Sequence, residues 1–370
     1  MRQKNKLMGN KSVFFLVPYP KDKAPSQRFR FEQYFKVLDQ NKIKYNVRAF
    51  YSPKTWVILH LEGHVFRKIY RILFSFVARF IHILQALFYD VIFIHREVAP
   101  IGPPIFEFIL AKVFRKKIVY DFDDAIWLPN YSEANTNYHK YKNYKKVDKI
   151  MQWATVVSAG NDYLADYAKR YNPNVIVNPT TIDTENYHNP LLHKVQRTDK
   201  LVIGWTGTHT TCKYLEFLVP VLDRLEEEFD FEFCVISNQA PDFEIPNINF
   251  IKWDKSTEIQ DLMRFDIGVM PLYNDKWAKG KCGFKALQYL SLGIPAIVSP
   301  IGVNVNIVDE GKNGFLCETS DDWYNALYSF MSNVVNRDEM KKAAIQKVEN
   351  EFSVKSNQSN FLSLILNKWN

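Results

Sequence analysis

The chain has 370 residues, 47% hydrophobic and 24% charged, a globular composition long enough for two domains that excludes a disordered chain. Its net charge of +8 is uneven: residues 1–150 carry 27 Lys and Arg against 12 Asp and Glu (+15), and the remainder 21 against 28 (−7). Four scattered cysteines without a Cys-x-x-Cys pair argue against a zinc site or disulfide framework and fit a reducing compartment.

In chain order, a basic N-terminus leads into Val13–Val17, too short an apolar run for a signal peptide and read as a first buried strand, so a cytoplasmic location is expected. Ser26, Arg28 and Arg30 follow it. Arg28 suits an anionic acceptor such as a lipid-linked pyrophosphate, or a solvated helix start. A helix is expected over Phe31–Leu38 and a strand over Tyr45–Phe50. Phe66–Phe88 contains no acidic residue, and Arg67, Arg71, Ser75, Arg79 and His82 recur at spacings of 4, 4, 4 and 3, one narrow polar stripe on an apolar helix. A membrane span would leave Arg79 and His82 near the bilayer centre, at a cost of several kcal/mol. The pattern therefore predicts an interfacial helix on an anionic membrane, or a core helix of the first domain exposing only that stripe.

Strands are predicted over Val91–His95, Ile118–Phe122, Thr155–Ser158 and Val175–Val177, with helices over Pro104–Phe114 and Tyr163–Tyr171. His95-Arg96-Glu97 and the run Tyr120–Trp127 (YDFDDAIW) end two of those strands, where an α/β sheet places its active groups. Asp123 or Asp124 would orient an acceptor hydroxyl or cap the following helix; a divalent cation on the Asp-x-Asp pair is the less favoured reading. Arg96 either pairs with Glu97 or faces a ligand. Aromatics and lysines interleave over Tyr138–Lys149, but no nucleic-acid module accompanies them, so a solvated, partly membrane-facing helix is expected and no nucleic-acid partner.

The polar stretch His188–Lys200 reads as a linker. Beyond it strands are predicted over Leu201–Trp205, Phe231–Ile236, Ile248–Trp253, Ile267–Pro271, Ala296–Val298 and Gly314–Cys317. Helices are predicted over Tyr214–Glu228, Glu258–Phe265, Phe284–Leu292, Asp322–Val334 and Glu339–Glu351. The alternation predicts two doubly wound Rossmann-like α/β domains facing across a cleft: residues 1–190, a linker at 191–200, residues 201–352, and a C-terminal helix over 353–370 packing back on the first. Trp253 would border a bound base or fill the core.

The densest signal is Asp266–Leu316. An apolar strand ends at Pro271, and Gly280-Lys281-Cys282-Gly283-Phe284-Lys285 opens a helix that closes at Gly293. Strand, glycine turn and helix N-terminus make an anion site, since free N–H groups and the helix dipole point at the ligand. Lys281 and Lys285 add charge there. The reading is a pyrophosphate grip for a nucleotide-linked substrate.

Together these motifs resemble family-4 glycosyltransferases, retaining enzymes of GT-B fold. Ile203-Gly204-Trp205-Thr206-Gly207-Thr208 looks like the first strand and glycine turn of that family's donor domain. Lys213 stands where the family places a diphosphate-binding lysine. Gln288–Pro295 (QYLSLGIP) resembles the helix end usually written with Glu first, and Pro179-Thr180 with Ile182-Asp183 looks like the approach to the linker. Gly280, Gln288 and Thr208 replace the family's usual two glutamates and arginine, and the Gly-Lys-x-x-x-Lys form is similar to a subgroup. The resemblance implies donor contacts from Gly207, Thr208, Lys213, Lys281, Gly283, Phe284 and Gln288, and acceptor contacts from Arg28 and Arg96. Lys285, Asp124, Asp123 and His95 are the catalytic candidates, with no metal or other cofactor expected. It implies sugar transfer from a nucleotide sugar to a lipid-linked or polysaccharide acceptor with retention, in cell-surface polysaccharide synthesis, by a peripheral protein on the cytoplasmic face of the inner membrane. Rival readings are a non-hydrolysing GT-B nucleotide-sugar epimerase and a catalytically silent nucleotide-sugar-binding subunit of a polysaccharide-synthesis complex.

Overall fold

The computed structural model describes residues 11–59, 61, 63–129, 142–195 and 199–366. The chain forms two compact units, Met1–Thr180 with Asn357–Asn370, and Thr181–Ser356. The division comes before the 191–200 stretch because the intervening chain is tied into the second unit. The Ile182 amide donates to Phe352 O at 2.9 Å, and the Val354 amide to Ile182 O at 2.9 Å.

The first unit holds a parallel sheet of β1 (Ser12–Val17), β2 (Lys44–Ala49), β3 (Val91–His95), β4 (Lys117–Phe122), β5 (Val156–Ala159) and β6 (Val175–Val177), in the order β2-β1-β3-β4-β5-β6. Its central strands are continuous apolar runs because both faces are covered: Val13–Val17 and Val91–Ile94 are fully buried. The strand order reverses between β1 and β3, so a ligand crevice is expected at the carboxyl ends of those two strands. Pro25 starts a helix, Pro25–Arg30, ahead of the predicted Phe31–Leu38, which is itself divided into Glu32–Tyr34 and Phe35–Gln40. The helix Val354–Leu366 ends in this unit, where Phe361 stacks on Tyr34 with ring centroids 4.2 Å apart.

The helix Val65–Gln85 corrects one expectation. From Ser75 onward its polar stripe faces inward. Arg79 is fully buried and donates to the carbonyls of Val17 and Arg48, each at 2.9 Å, near the ends of β1 and β2. Val17 O also accepts from the Phe50 amide at 2.8 Å, so the guanidinium occupies a second lone pair there and ties the helix to both strand ends. The apolar face is the exposed one.

The second unit repeats the plan with β7 (Leu201–Thr206), β8 (Phe231–Ser237), β9 (Ile248–Lys252), β10 (Ile267–Met270), β11 (Ala296–Val298) and β12 (Gly314–Leu316), all parallel, in the order β12-β11-β10-β7-β8-β9. The reversal lies between β7 and β10. The predicted helix Tyr214–Glu228 is a 3₁₀ segment, Lys213–Leu218, followed by a helix over Val219–Glu226 with Pro220 in its first turn. Ile203, Val235, Val269 and Ile297 form the buried centre, closed by Trp323 and Leu327.

Candidate functional site

In the second unit the candidate donor residues gather at the carboxyl end of β7. Gly207 follows the strand and donates its N–H to Ile236 O at 3.0 Å. A Cβ at Gly207 would lie 2.5 Å from the Trp205 ring and 2.9 Å from Cε of Lys285, so only glycine lets that lysine cross the turn. The Lys285 ammonium lies 5.3 Å from the Trp205 ring centroid. It also pulls the Cys212 thiol down, although burial pushes that thiol up overall. Lys285 thus reaches both the glycine turn and the short helix His209–Cys212 that follows.

Gly283 caps the helix Phe284–Ser291 with φ +65°, and a Cβ there would meet Ile307 Cδ1 at 2.2 Å. Backbone conformation and packing both select glycine at this helix start. Lys281, Phe284 and Lys285 are partly exposed beside it, whereas Thr208 and Lys213 are exposed, the Lys213 ammonium 5.6 Å from the Tyr214 ring. Gln288 lies one turn further along the same helix. It is 3% exposed, and its amide nitrogen lies 3.4 Å from Nε2 of buried His188. Trp253 stands partly exposed at 36%, with its indole N–H donating to Glu258 at 3.3 Å.

In the first unit the strand ends carry two charge clusters. The deeper one is centred on Asp121, fully buried among Arg30, His95 and Ser158. Arg30 bonds both carboxylate oxygens, His95 Nδ1 lies 2.9 Å from Oδ2, and the Ser158 hydroxyl donates to Oδ1 at 2.6 Å. Arg30 also donates to Asn178 O. Burial would raise the Asp121 carboxyl, but Arg30 and His95 hold it well below the usual carboxylate range. His95 Nε2 is buried with no hydrogen-bond partner among the described residues. Asp121 and Arg30 stand outside the candidate set. The available signal was an acid at the end of a predicted strand and an arginine in the segment that follows the first strand.

The outer cluster joins Arg96 to both candidate carboxylates: its guanidinium lies 2.7 Å from Asp123 and 2.5 Å from Asp124. Burial disfavours the charge, yet the two carboxylates hold Arg96 protonated well above its ordinary range. Arg96 adopts φ +59°, a left-handed conformation at the end of β3. Its expected partner, Glu97, instead pairs with Lys146 at 2.7 Å. Burial raises the Tyr19 hydroxyl, as do Glu97, Asp123 and Asp124, while Arg96 draws it down. Arg28 is 7% exposed, with its guanidinium 4.9 Å from the Phe29 ring, rather than solvated at a helix start. Of the aromatic–lysine run Tyr138–Lys149, residues 138–141 lie outside the described residues; Lys146 is buried and donates to Ala99 O.

Chemically, the second unit offers an ammonium group and a helix start beside a glycine turn, an arrangement suited to phosphate. The first offers a buried imidazole nitrogen and a carboxylate–guanidinium cluster at its strand switch point. Residues 200–333 match the model of the family described as Glycosyl transferases group 1. No curated protein matches the chain in sequence. Among solved structures, sucrose-phosphate synthase from Thermosynechococcus elongatus is similar with a TM-score of 0.70 at 13% identity, over 97% of this chain and 99% of that one. HepE of Anabaena, solved in complex with UDP, is similar with a TM-score of 0.61 at 15% identity, over 96% and 99%. The lipopolysaccharide outer core galactosyltransferase WaaB gives 0.61 at 13% identity, over 97% and 100%. At such identities the likeness speaks to the fold, and that fold is the α/β plan of two parallel six-stranded sheets found in GT-B glycosyltransferases.

Proposed function

We propose that this protein is a retaining glycosyltransferase moving a sugar from a nucleotide-sugar donor to a lipid-linked or glycan acceptor, on the cytoplasmic face of the inner membrane, in cell-surface polysaccharide synthesis. The observation that carries the reading is the crossing of Lys285 over Gly207 at the carboxyl end of β7, in the unit matched by the glycosyltransferase family model. The complex of HepE with UDP makes a UDP-linked sugar the first donor to try.

In the proposed front-face reaction the bond from the anomeric carbon to the diphosphate oxygen breaks as the acceptor oxygen bonds to the same face. The acceptor proton passes to the leaving phosphate oxygen. Lys285, Lys281, Lys213 and the amides at the helix start after Gly283 stabilise the charge growing on the diphosphate, more in the transition state than before it. Phe284 and Thr208 border the donor. In the first unit Arg28, Arg96, Asp123 and Asp124 recognise the acceptor, and His95, oriented through Nδ1 by Asp121, presents Nε2 to a sugar or acceptor hydroxyl. The guanidinium of Arg96 spanning the two carboxylates supports a metal-independent reaction.

The test is thermal stabilisation by a panel of nucleotide sugars, followed by acceptor-dependent release of nucleoside diphosphate in excess EDTA. Stabilisation by one donor and release only with acceptor are expected. Conversion of the nucleotide sugar to an isomer with no net release of nucleoside diphosphate would indicate the epimerase instead. Binding without turnover across the acceptor panel would favour a silent subunit, a reading supported by the missing side chain at Gly280 and the burial of Gln288.

A further inference from the structure

The helix Val65–Gln85 is built the wrong way round for a soluble surface. Its polar residues Ser75 and Arg79 are buried, whereas Phe66 is 89% exposed and Leu73, Phe74, Val77, Phe80, Ile81 and Leu84 are all more than half exposed. The apolar surface continues past the helix end through Phe88, and across to Ile105, Phe108 and Val113. Phe106 links the two parts, its ring 4.9 Å from Phe80 and 6.2 Å from Phe76. Single exposed hydrophobics are ordinary on protein surfaces, but a contiguous face of this length marks a partner.

The charges around that face identify the partner's chemistry. Val65–Tyr89 contains no Asp or Glu. Arg67, Lys68 and Arg71 stand at the first end, and Lys112, Arg115, Lys116 and Lys117 stand by the other. At that second end a groove of about 430 Å³ combines Leu87, Phe88 and Phe114 with Arg115, Lys116 and Lys117 and a single carboxylate, Asp90, so that its side chains remain net positive. An apolar band flanked at both ends by cations complements acyl chains under anionic headgroups. A crossing of the bilayer does not fit, because the second half of the helix, from Ser75, is fastened to the first unit. Arg79 is bonded to Val17 O and Arg48 O, and Ile83 and Ala86 are buried.

We infer that this helix lies in the plane of an anionic membrane with Phe66, Leu73, Phe74, Val77 and Phe80 inserted among the acyl chains, and that Arg79 is the positioning residue fixing the strand ends of the first unit to that surface. This deepens the membrane placement proposed above, and it is independent of whether sugar is transferred. Because Arg79 is bonded at the carboxyl ends of β1 and β2, the residues just beyond β1 would be held at a set height over the headgroups, where a lipid-linked acceptor is presented.

The four native cysteines are buried, so a cysteine introduced on the surface can be labelled selectively. The full chain carrying Phe74→Cys is labelled with an environment-sensitive dye and mixed, without donor, with phosphatidylglycerol–phosphatidylcholine vesicles; Gln40→Cys on the Phe35–Gln40 helix is the control. A blue shift and quenching by brominated acyl chains at position 74 but not at 40 are expected. Replacing Phe66 and Phe74 together by Ser should weaken vesicle partition by at least about tenfold with an unchanged far-ultraviolet spectrum. Sedimentation with the vesicles but no shift at 74 would overturn insertion while leaving a purely electrostatic placement. Absence of sedimentation would overturn both. A shift at 74 that appears without lipid and tracks dimer formation would assign the face to a second copy and overturn the inference.

Discussion

The aliphatic end of Lys285 occupies the space that a side chain at Gly207 would need, so a residue opening a helix and a glycine ending a strand 78 positions earlier are mutually dependent. Gly207→Ala places a methyl 2.5 Å from the buried Trp205 ring, which has little room to move, and 2.9 Å from Lys285, which can swing away. The expected result is a loss of about 1–3 kcal/mol in stability from overpacking, with weaker nucleotide binding because the ammonium is displaced. Thermal unfolding with and without UDP measures both, and unchanged values in the two would dismiss the dependence.

Lys285→Ala removes one donor to the leaving diphosphate and is expected to lower turnover by about two orders of magnitude or more with the fold intact. Lys281→Ala should cost less, since its helical neighbour keeps the charge at the turn. Steady-state turnover of the two variants with the preferred donor ranks them. Equal activity of Lys285→Ala and the parent protein would remove Lys285 from the mechanism.

Gly283→Ala combines a left-handed backbone with a contact of 2.2 Å to Ile307 Cδ1. About 1–2 kcal/mol is expected from the backbone alone, and more from the clash. Ile307→Val deletes the offending methyl. The double variant should therefore be more stable than the sum of the single changes, a coupling readable from chemical denaturation.

Asp121 and Arg30 form a pair with no solvent exposure. Asp121→Asn leaves the guanidinium buried without its counter-charge, and a loss of about 3–5 kcal/mol is expected. The folded carboxyl titrates below its unfolded counterpart, so its stabilisation is complete above the unfolded value and disappears as pH falls through the folded one. Stability of the parent protein should begin to decline below about pH 4, near the unfolded Asp value. The variant should lack that component in urea titrations at successive pH values.

His82 contributes in the same direction at higher pH. Burial first, then Arg79 and Arg48, lower its folded value from 6.5 to about 4. Between those values the unfolded chain takes up a proton that the folded chain refuses, so stability falls as pH drops from about 6.5 towards 4. His82→Gln should flatten that slope in vesicle-free buffer; an identical slope in variant and parent would place its origin elsewhere.

The parallel strands were legible because burial on both faces writes them as unbroken apolar runs; Val91–His95 and Leu201–Thr206 need no periodicity to be seen. The meeting of Gly207 and Lys285 was also legible, since a strand-end glycine and a lysine-bearing helix start converge at a sheet's switch point. The bridge from Arg96 to Asp123 and Asp124 was not, because it depends on the register that sets His95 opposite Asp121. Nor was the direction of the stripe from Arg67 to His82. Spacing shows that polar residues share one side of a helix, but the atoms that draw Arg79 inward are backbone carbonyls of Val17 and Arg48, present at every position of any sequence. The approach of Gln288 to His188 was hidden for a similar reason, since the two lie a hundred positions apart.

The chain passes from the first unit to the second at Thr180 and returns at Asn357. Phe361, fully buried against Tyr34 and Phe93, is therefore synthesised long after the strands it covers. On the ribosome the first unit emerges with an uncovered aromatic face and must wait for the whole second unit before that face closes, so the half begun first is the half finished last.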